Sequence, residues 1–343
     1  MSAGQAAMRV LAAGRESSGS MTAYSWVVPI IEEMAARLVS SRSGRSFRCG
    51  VDGVERLIAM KRLLVLMLIV STFLAIQPAF PASDCPLKGH PVDDGRWARQ
   101  ESLPLETRDV RIRFENGATA RMKAVRLRHR DFEIRLHWRD KPEWFVPVDF
   151  GALGEKLGAA VILNAGYYDE KGRPMGYFRS GGKVFNSVIL HRGRKTFLHY
   201  GALFAVGGKD GRPKIVSREI FNDAGVGEAF QAGPLLVADG EPVQGLSRYR
   251  EYLRASRRTV VGLDAGERLV VLVSETETRG ISWCELQAFL VLPESKGGLG
   301  VRDAMNLDGG SSSQLWVRGG VEIPGRAAPT YLLAAPKPAP PVR

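Results

Sequence analysis

The residues with the clearest chemical potential span 304–313 and read A-M-N-L-D-G-G-S-S-S. A short apolar run ends at Asn306, Leu307 and Asp308 and opens into two glycines and three serines. A buried strand that delivers a carboxylate to its own end, followed by a loop whose backbone can approach a ligand, has this pattern. Asp308 is therefore the first candidate for an active-site carboxylate. D-G-G is also ordinary turn chemistry, because Asp tolerates the left-handed region and Gly supplies positive φ. A second apolar run, Val161-Ile162-Leu163, stops in the same manner at Asn164-Ala165-Gly166-Tyr167-Tyr168-Asp169. Glu275, at the end of the apolar run 270–274, is a second carboxylate candidate that reads equally as a surface residue. Arg258 closes a basic stretch over 254–258 and reads either as an anion ligand or as part of that stretch.

Other catalytic signatures are missing. The chain has no H-E-x-x-H, C-x-x-C, G-x-S-x-G or G-x-x-x-x-G-K-[ST], which weakens zinc-hydrolase, redox and P-loop assignments. Its five histidines lack metal-ligand spacing. No cofactor and no metal site are expected, and the need for a divalent ion is left open. What remains is carboxylates, arginines, amides, hydroxyls and Gly-rich backbone, a set suited to cleaving a sugar-to-phosphate or sugar-to-sugar bond.

The elements that must position these groups are mostly strands. With 38 Gly and 19 Pro in 343 residues, many turns and short strands are expected and an all-helical fold is not. From Val110 onward, 111–114, 125–128 and 132–138 alternate apolar and basic residues, which predicts an antiparallel sheet with one solvated basic face. Further strands are expected over 161–163, 183–190, 198–206 and 314–317. Hairpins are expected at 232–240 and over 258–274, the second turning at Asp264-Ala265-Gly266. Residues 148–157 predict a short helix. A second is predicted over 281–292, where Ser282 and Glu285 fit a capping box and Pro293 stops the chain. The fold class expected is α+β, with mixed, mainly antiparallel sheets, few helices and one catalytic domain.

The N-terminal third is organised differently. Met60-Lys61-Arg62 precedes an apolar run over 63–76 and a small-residue exit, the pattern of a secretory signal peptide over 60–82. Residues 1–59 are then expected to be a non-native or disordered extension, 83–109 a linker, 110–333 the catalytic domain and 334–343 a Pro-rich tail. Export to the periplasm or the extracellular space follows, with membrane contact only through an uncleaved signal anchor. In that compartment Cys85 and Cys284 either pair or remain as packed thiols. A net charge of +12 favours anionic partners. Nucleic acid is disfavoured by the signal peptide and by basic residues spread over strands without interleaved aromatics. The oligomeric state is not specified.

Four segments in order resemble the phosphodiester glycosidase family: N-A-G-Y-Y-D at 164–169, Q-A-G-P-L-L at 231–236, R-T-V-V-G at 258–262 and N-L-D-G-G-S-S at 306–312. Ala165 and Ser311 stand where the family often has Gly. The resemblance implies a hydrolase that cuts a sugar-1-phosphodiester, and so a phosphorylated glycan or sugar-1-phosphodiester as partner. For that reaction the residues support Asp308 as nucleophile or base, with Glu275 as a candidate second carboxylate. Arg258 is then expected to hold the phosphate through its two-pronged guanidinium, beside a nest formed by the amides of Gly309, Gly310 and Ser311. Asn164 and Asn306 are expected at the sugar, with Tyr167 as a stacking platform. The competing expectation is a non-catalytic envelope module that binds anionic glycan.

Overall fold

The computed structural model describes residues 86–139, 146, 148–189 and 201–338. Strands β1 (Gly89–Pro91) and β2 (Ala98–Arg99) both pair with the long β3 (Leu105–Phe114), which turns into β4 (Thr119–Arg128) and then β5 (Phe132–Trp138). Helix α1 (Phe150–Leu157) leads into β6 (Val161–Asn164). It is followed by β7 (Phe178–Ser180), β8 (Lys183–Asn186), β9 (Ala202–Gly207), β10 (Arg212–Ser217) and β11 (Val226–Ala232). Next come β12 (Leu235–Ala238), β13 (Glu241–Pro242), and the hairpin of β14 (Thr259–Asp264) with β15 (Arg268–Ser274). Helix α2 (Trp283–Val291) and strands β16 (Val301–Asn306), β17 (Leu315–Val317), β18 (Glu322–Ile323) and β19 (Thr330–Pro336) complete the described chain.

These strands form three sheets, ordered β1-β3-β4-β15-β14-β16-β12-β13 with β2 beside β3, β10-β9-β11-β7-β8, and β18-β17-β6-β19-β5. Every pairing among the described residues is antiparallel, so the parallel component of the expected mixed sheets is absent there. Val125, Val261, Val271 and Met305 of the first sheet share one core with Phe204 and Phe230 of the second and Leu163, Leu315 and Leu332 of the third. The opposite face of the first sheet is covered by α2. That helix starts at a complete capping box, with Ser282 accepting from the Glu285 amide, and it buries Trp283, Leu286, Phe289 and Leu290. Helix α1, capped by Asp149 and ended by Gly158 in the left-handed region, covers the outer face of the third sheet with Phe150 against Tyr331. The β14–β15 turn forms as expected because the Asp264 carboxylate accepts from the Gly266 and Arg268 amides and from Arg268 Nε.

Three expectations are corrected. The stretch 83–109 is not a linker where it is described: β1, β2 and half of β3 belong to the first sheet. Arg108 is buried there, pairing with Asp93 at 2.7 Å and donating to the carbonyls of Gly297 and Gly298. The basic face is also not simply solvated. Arg126 is buried between Glu106 and Glu294 and lies 4.2 Å over the Trp97 ring, because its long stem packs while its head finds carboxylates. At the other end, Ala334, Ala335 and Pro336 continue β19 against β5, past the expected boundary at 333. Residues 1–59, the signal segment 60–82 and residues 339–343 lie outside the described residues. Cys284 is disulfide-bonded and is not a free thiol, and the other two cysteines fall outside the described residues.

Candidate active site

The ends of β6, β14 and β16 converge where the third sheet meets the first. Asn164, the last residue of β6, is buried and joins all three. Its Nδ2 donates to the Asp308 carbonyl at 2.6 Å, and its Oδ1 accepts from Thr259 Oγ1 at 2.9 Å and from the Gln314 amide at 3.1 Å. The amide expected at sugar hydroxyls is therefore engaged within the protein. It fixes the backbone on both sides of the Asp308 turn.

That turn needs both of its glycines. A Cβ on Gly309 would lie 2.9 Å from the Arg257 carbonyl oxygen, and Gly310 has φ +61 and opens a 3₁₀ turn over Gly310–Ser312. The Gly310 amide donates to the Arg257 carbonyl and the Gly309 amide to Asp308 Oδ1, both at 2.9 Å. Two of the three amides expected to form an anion nest are thus committed inside the turn, and of the three the Ser311 amide alone has no partner among the described residues. Arg257, which sequence reasoning passed over within its basic stretch, staples the far side of the turn by donating to the carbonyls of Ser313 and Pro324.

Asp308 is half-buried. Its carboxylate accepts from the Gly309 amide and from the Ser312 hydroxyl, with no ion pair to a cation among the described residues. Burial outweighs both hydrogen bonds and pushes the carboxyl up to about 6. The β14–β16 register ends with Val260 paired to Asn306, so Arg258 lies two residues before the first of these and Asp308 two residues beyond the second. The backbones stay in contact there, since the Leu307 amide donates to the Thr259 carbonyl at 2.8 Å. Arg258 is buried, donates from Nε to the Ile281 carbonyl and from Nη2 to the Arg254 carbonyl, and lies 5.0 Å from the Trp283 ring centroid. No carboxylate pairs with it among the described residues, and burial draws it down to about 10, still a cation at neutral pH.

Asn306 and Tyr167 line the same end of the sheet. Tyr167 donates to the Gly233 carbonyl at 2.8 Å, and Asn306 Nδ2 reaches that carbonyl, the Tyr167 hydroxyl and the Leu307 carbonyl. Both brace the cis Gly233-Pro234 peptide, which explains the Q-A-G-P segment, while the Tyr167 ring packs against the core shared by the three sheets. Asn306 Oδ1 is buried without a partner among the described residues. Gln231 acts structurally as well, accepting from the amides of Tyr177 and Ile189.

No contact joins Glu275 to Asp308 among the described residues. Glu275 lies one residue beyond Ser274, which pairs with Met122 of β4, and its carboxylate sits 3.5 Å from Arg121 and 3.8 Å from Lys123. Side chains alternate across a sheet. Glu275 therefore shares the side of Val273, in the core between the sheets, whereas Arg258 shares that of Val260, under α2.

The architecture and its contents define the class: a β-rich scaffold with the Asp308 carboxylate just beyond one strand end and Arg258 just before its neighbour, neither of them ion-paired among the described residues. The family model for phosphodiester glycosidases matches residues 157–335, more than half of the chain and all three converging strand ends. The chain belongs to the phosphodiester glycosidase family. Among solved structures it is similar to the zebrafish N-acetylglucosamine-1-phosphodiester alpha-N-acetylglucosaminidase catalytic domain, auto-inhibited by its pro-peptide. Identity is 18%, covering 77% of this chain and 93% of that one with a TM-score of 0.50, a likeness of fold. A hypothetical protein from Synechocystis aligns at 14% identity over 68% of this chain and 62% of its own, with a TM-score of 0.46. No curated protein matches the chain.

Proposed function

We propose that this chain is an exported hydrolase that cuts the bond between the anomeric carbon of a sugar and a phosphodiester, with Asp308 as the reacting carboxylate. The observation that carries the proposal is the Asp308 turn, where among the described residues the carboxyl has no cation and Arg258, at the start of the neighbouring strand, has no acid. Family membership supplies the class of bond, and the zebrafish neighbour acts, by its name, on an N-acetylglucosamine-1-phosphodiester.

Cleavage of a glycosidic bond builds positive charge on the sugar ring. Ionised Asp308 faces that charge as nucleophile, or as base toward a water. In the base route the water oxygen bonds to the anomeric carbon, its proton passes to Asp308, and the carbon–oxygen bond to phosphate breaks with its electron pair on the phosphate. The departing phosphate is a stable anion, so no second carboxylate is required to protonate it. This fits the lack of any contact between Glu275 and Asp308 among the described residues. Arg258 offers its Nη1 edge to the phosphate, and the Ser311 amide supplies a further donor. Asn164, Asn306 and Tyr167 hold the strand ends in place rather than binding sugar.

The test is a panel of sugar-1-phosphodiesters incubated with the purified chain from Ser83 onward, with and without chelator. Release of free sugar and a phosphomonoester is expected. Saturable binding of phosphorylated glycan with no product from any member would instead make the chain a binding module.

A further inference from the structure

We propose that Arg254 and Arg326 form an anion subsite beside the Asp308 turn, so that the preferred substrate carries a second negative charge on the group esterified to its phosphate. The inference rests on Asp308 being the reacting carboxylate at that turn.

Two segments clasp the turn. On one side, the Arg257 carbonyl accepts from the Gly310 amide at 2.9 Å, and the Arg254 carbonyl accepts from Arg258 Nη2 at 2.7 Å. On the other, the Arg326 amide donates to the Ser311 carbonyl at 2.7 Å, and the Arg326 carbonyl accepts from Gln314 Nε2 at 3.1 Å. Arg254 and Arg326 are thus tied to the site through their backbones, and both residues are exposed. Ser311 is exposed as well, and its amide has no partner among the described residues.

Charge at this place is unbalanced. Residues 245–258 hold five arginines and one carboxylate, Glu251. None of the five, nor Arg326, has an ion pair among the described residues, whereas on the first sheet Arg121 meets Glu275, Arg268 meets Asp264 and Arg302 meets Asp303. Burial draws Arg258 down to about 10 and the Arg254 charge adds to that effect, while Tyr167 and Glu251 oppose it. A bound anion relieves such repulsion, and the guanidinium fork matches phosphate and carboxylate oxygens alike. With Arg258 at the scissile phosphate, Arg254 and Arg326 remain for a charge further along the substrate.

The experiment measures kcat/KM on three N-acetylglucosamine-1-phosphodiesters whose second alcohol is glycerol, glycerate or glycerol phosphate. It compares the parent, Arg254→Gln/Arg326→Gln and Arg128→Gln/Arg130→Gln. The last makes the same charge change remotely, since Arg128 pairs with Arg268, at the opposite end of β15 from Ser274, which receives the Arg258 amide. Binding of inorganic tripolyphosphate is followed by calorimetry, which reads the subsite whether or not the diesters are cut. The parent is expected to favour a charged diester over the glycerol one about tenfold, the worth of two exposed ion pairs. Arg254→Gln/Arg326→Gln should lose that preference and bind tripolyphosphate about tenfold more weakly, and the remote pair should change neither. The better of the two charged diesters tells phosphate from carboxylate. Equal, measurable rates on charged and neutral diesters overturn the inference, as does equal tripolyphosphate binding by the parent and Arg254→Gln/Arg326→Gln, or an equal loss in the remote pair. A binding difference with no diester cut keeps the anion subsite and removes the hydrolase reading.

Discussion

At the scale of single residues, Asp308 carries opposing consequences for function and stability. A carboxyl lifted to about 6 is a better base near neutrality than an ordinary aspartate. Because it must be ionised to act, kcat/KM is expected to fall about tenfold per pH unit below about 6 and to level off above it. A profile that instead declines on the alkaline side of 6 would assign Asp308 the role of acid. The effect on stability has the opposite sign. The folded value lies above the ordinary 3.8, so the favourable contribution of this group is complete at low pH and is lost as pH rises through about 6. Asp308→Asn should therefore melt at a higher temperature than the parent at pH 8, by up to about 3 kcal/mol, with the difference vanishing near pH 4. A lower melting temperature at pH 8 would mean that the carboxylate has a cationic partner after all.

At the scale of elements, the turn after β16 is built less by its own residues than by the strand ends around it. Asn164 ties β6 to β14, β17 and the turn through three hydrogen bonds. Asn164→Ala leaves Thr259 Oγ1, the Gln314 amide and the Asp308 carbonyl without partners in a buried site. It is expected to cost about 2–4 kcal/mol in chemical denaturation. A variant of parental stability with a raised KM would return Asn164 to the sugar. The glycines were legible in this respect, since D-G-G reads at once as a turn and as a close backbone approach, and Gly309 and Gly310 are needed for both. The fate of their amides was not legible. Which carbonyl an N–H meets depends on the neighbouring strand, and here Arg257 lies about fifty residues away in sequence.

At the scale of the whole molecule, local patterns foretold elements better than they foretold layers. The capping box at Ser282 and Glu285 and the Asp264 turn are encoded within four residues, and both form as expected. Alternation in β3 and β4 identified strands, but it could not show that Arg108 and Arg126 are buried by partners from the segment before β3 and the loop after α2. Glu275 was misplaced for the same reason: two strands whose ends look alike in sequence can point their last side chains to opposite faces. The long-range ties also define how much chain the first sheet needs. A protein beginning at Val110 lacks β1, β2, Arg108 and half of β3, and it is expected to lose the single cooperative melt of one beginning at Ser83. An unchanged melting transition would restore 83–109 to the status of linker.

The central claim, that the carboxylate at the end of β16 performs the chemistry, is tested most directly by kcat/KM of Asp308→Asn on a sugar-1-phosphodiester that the parent hydrolyses. Asparagine keeps the shape and can still accept from the Gly309 amide. The predicted result is a loss of at least about 10³-fold in a protein that melts no lower than the parent. Activity within about tenfold of the parent would contradict the account.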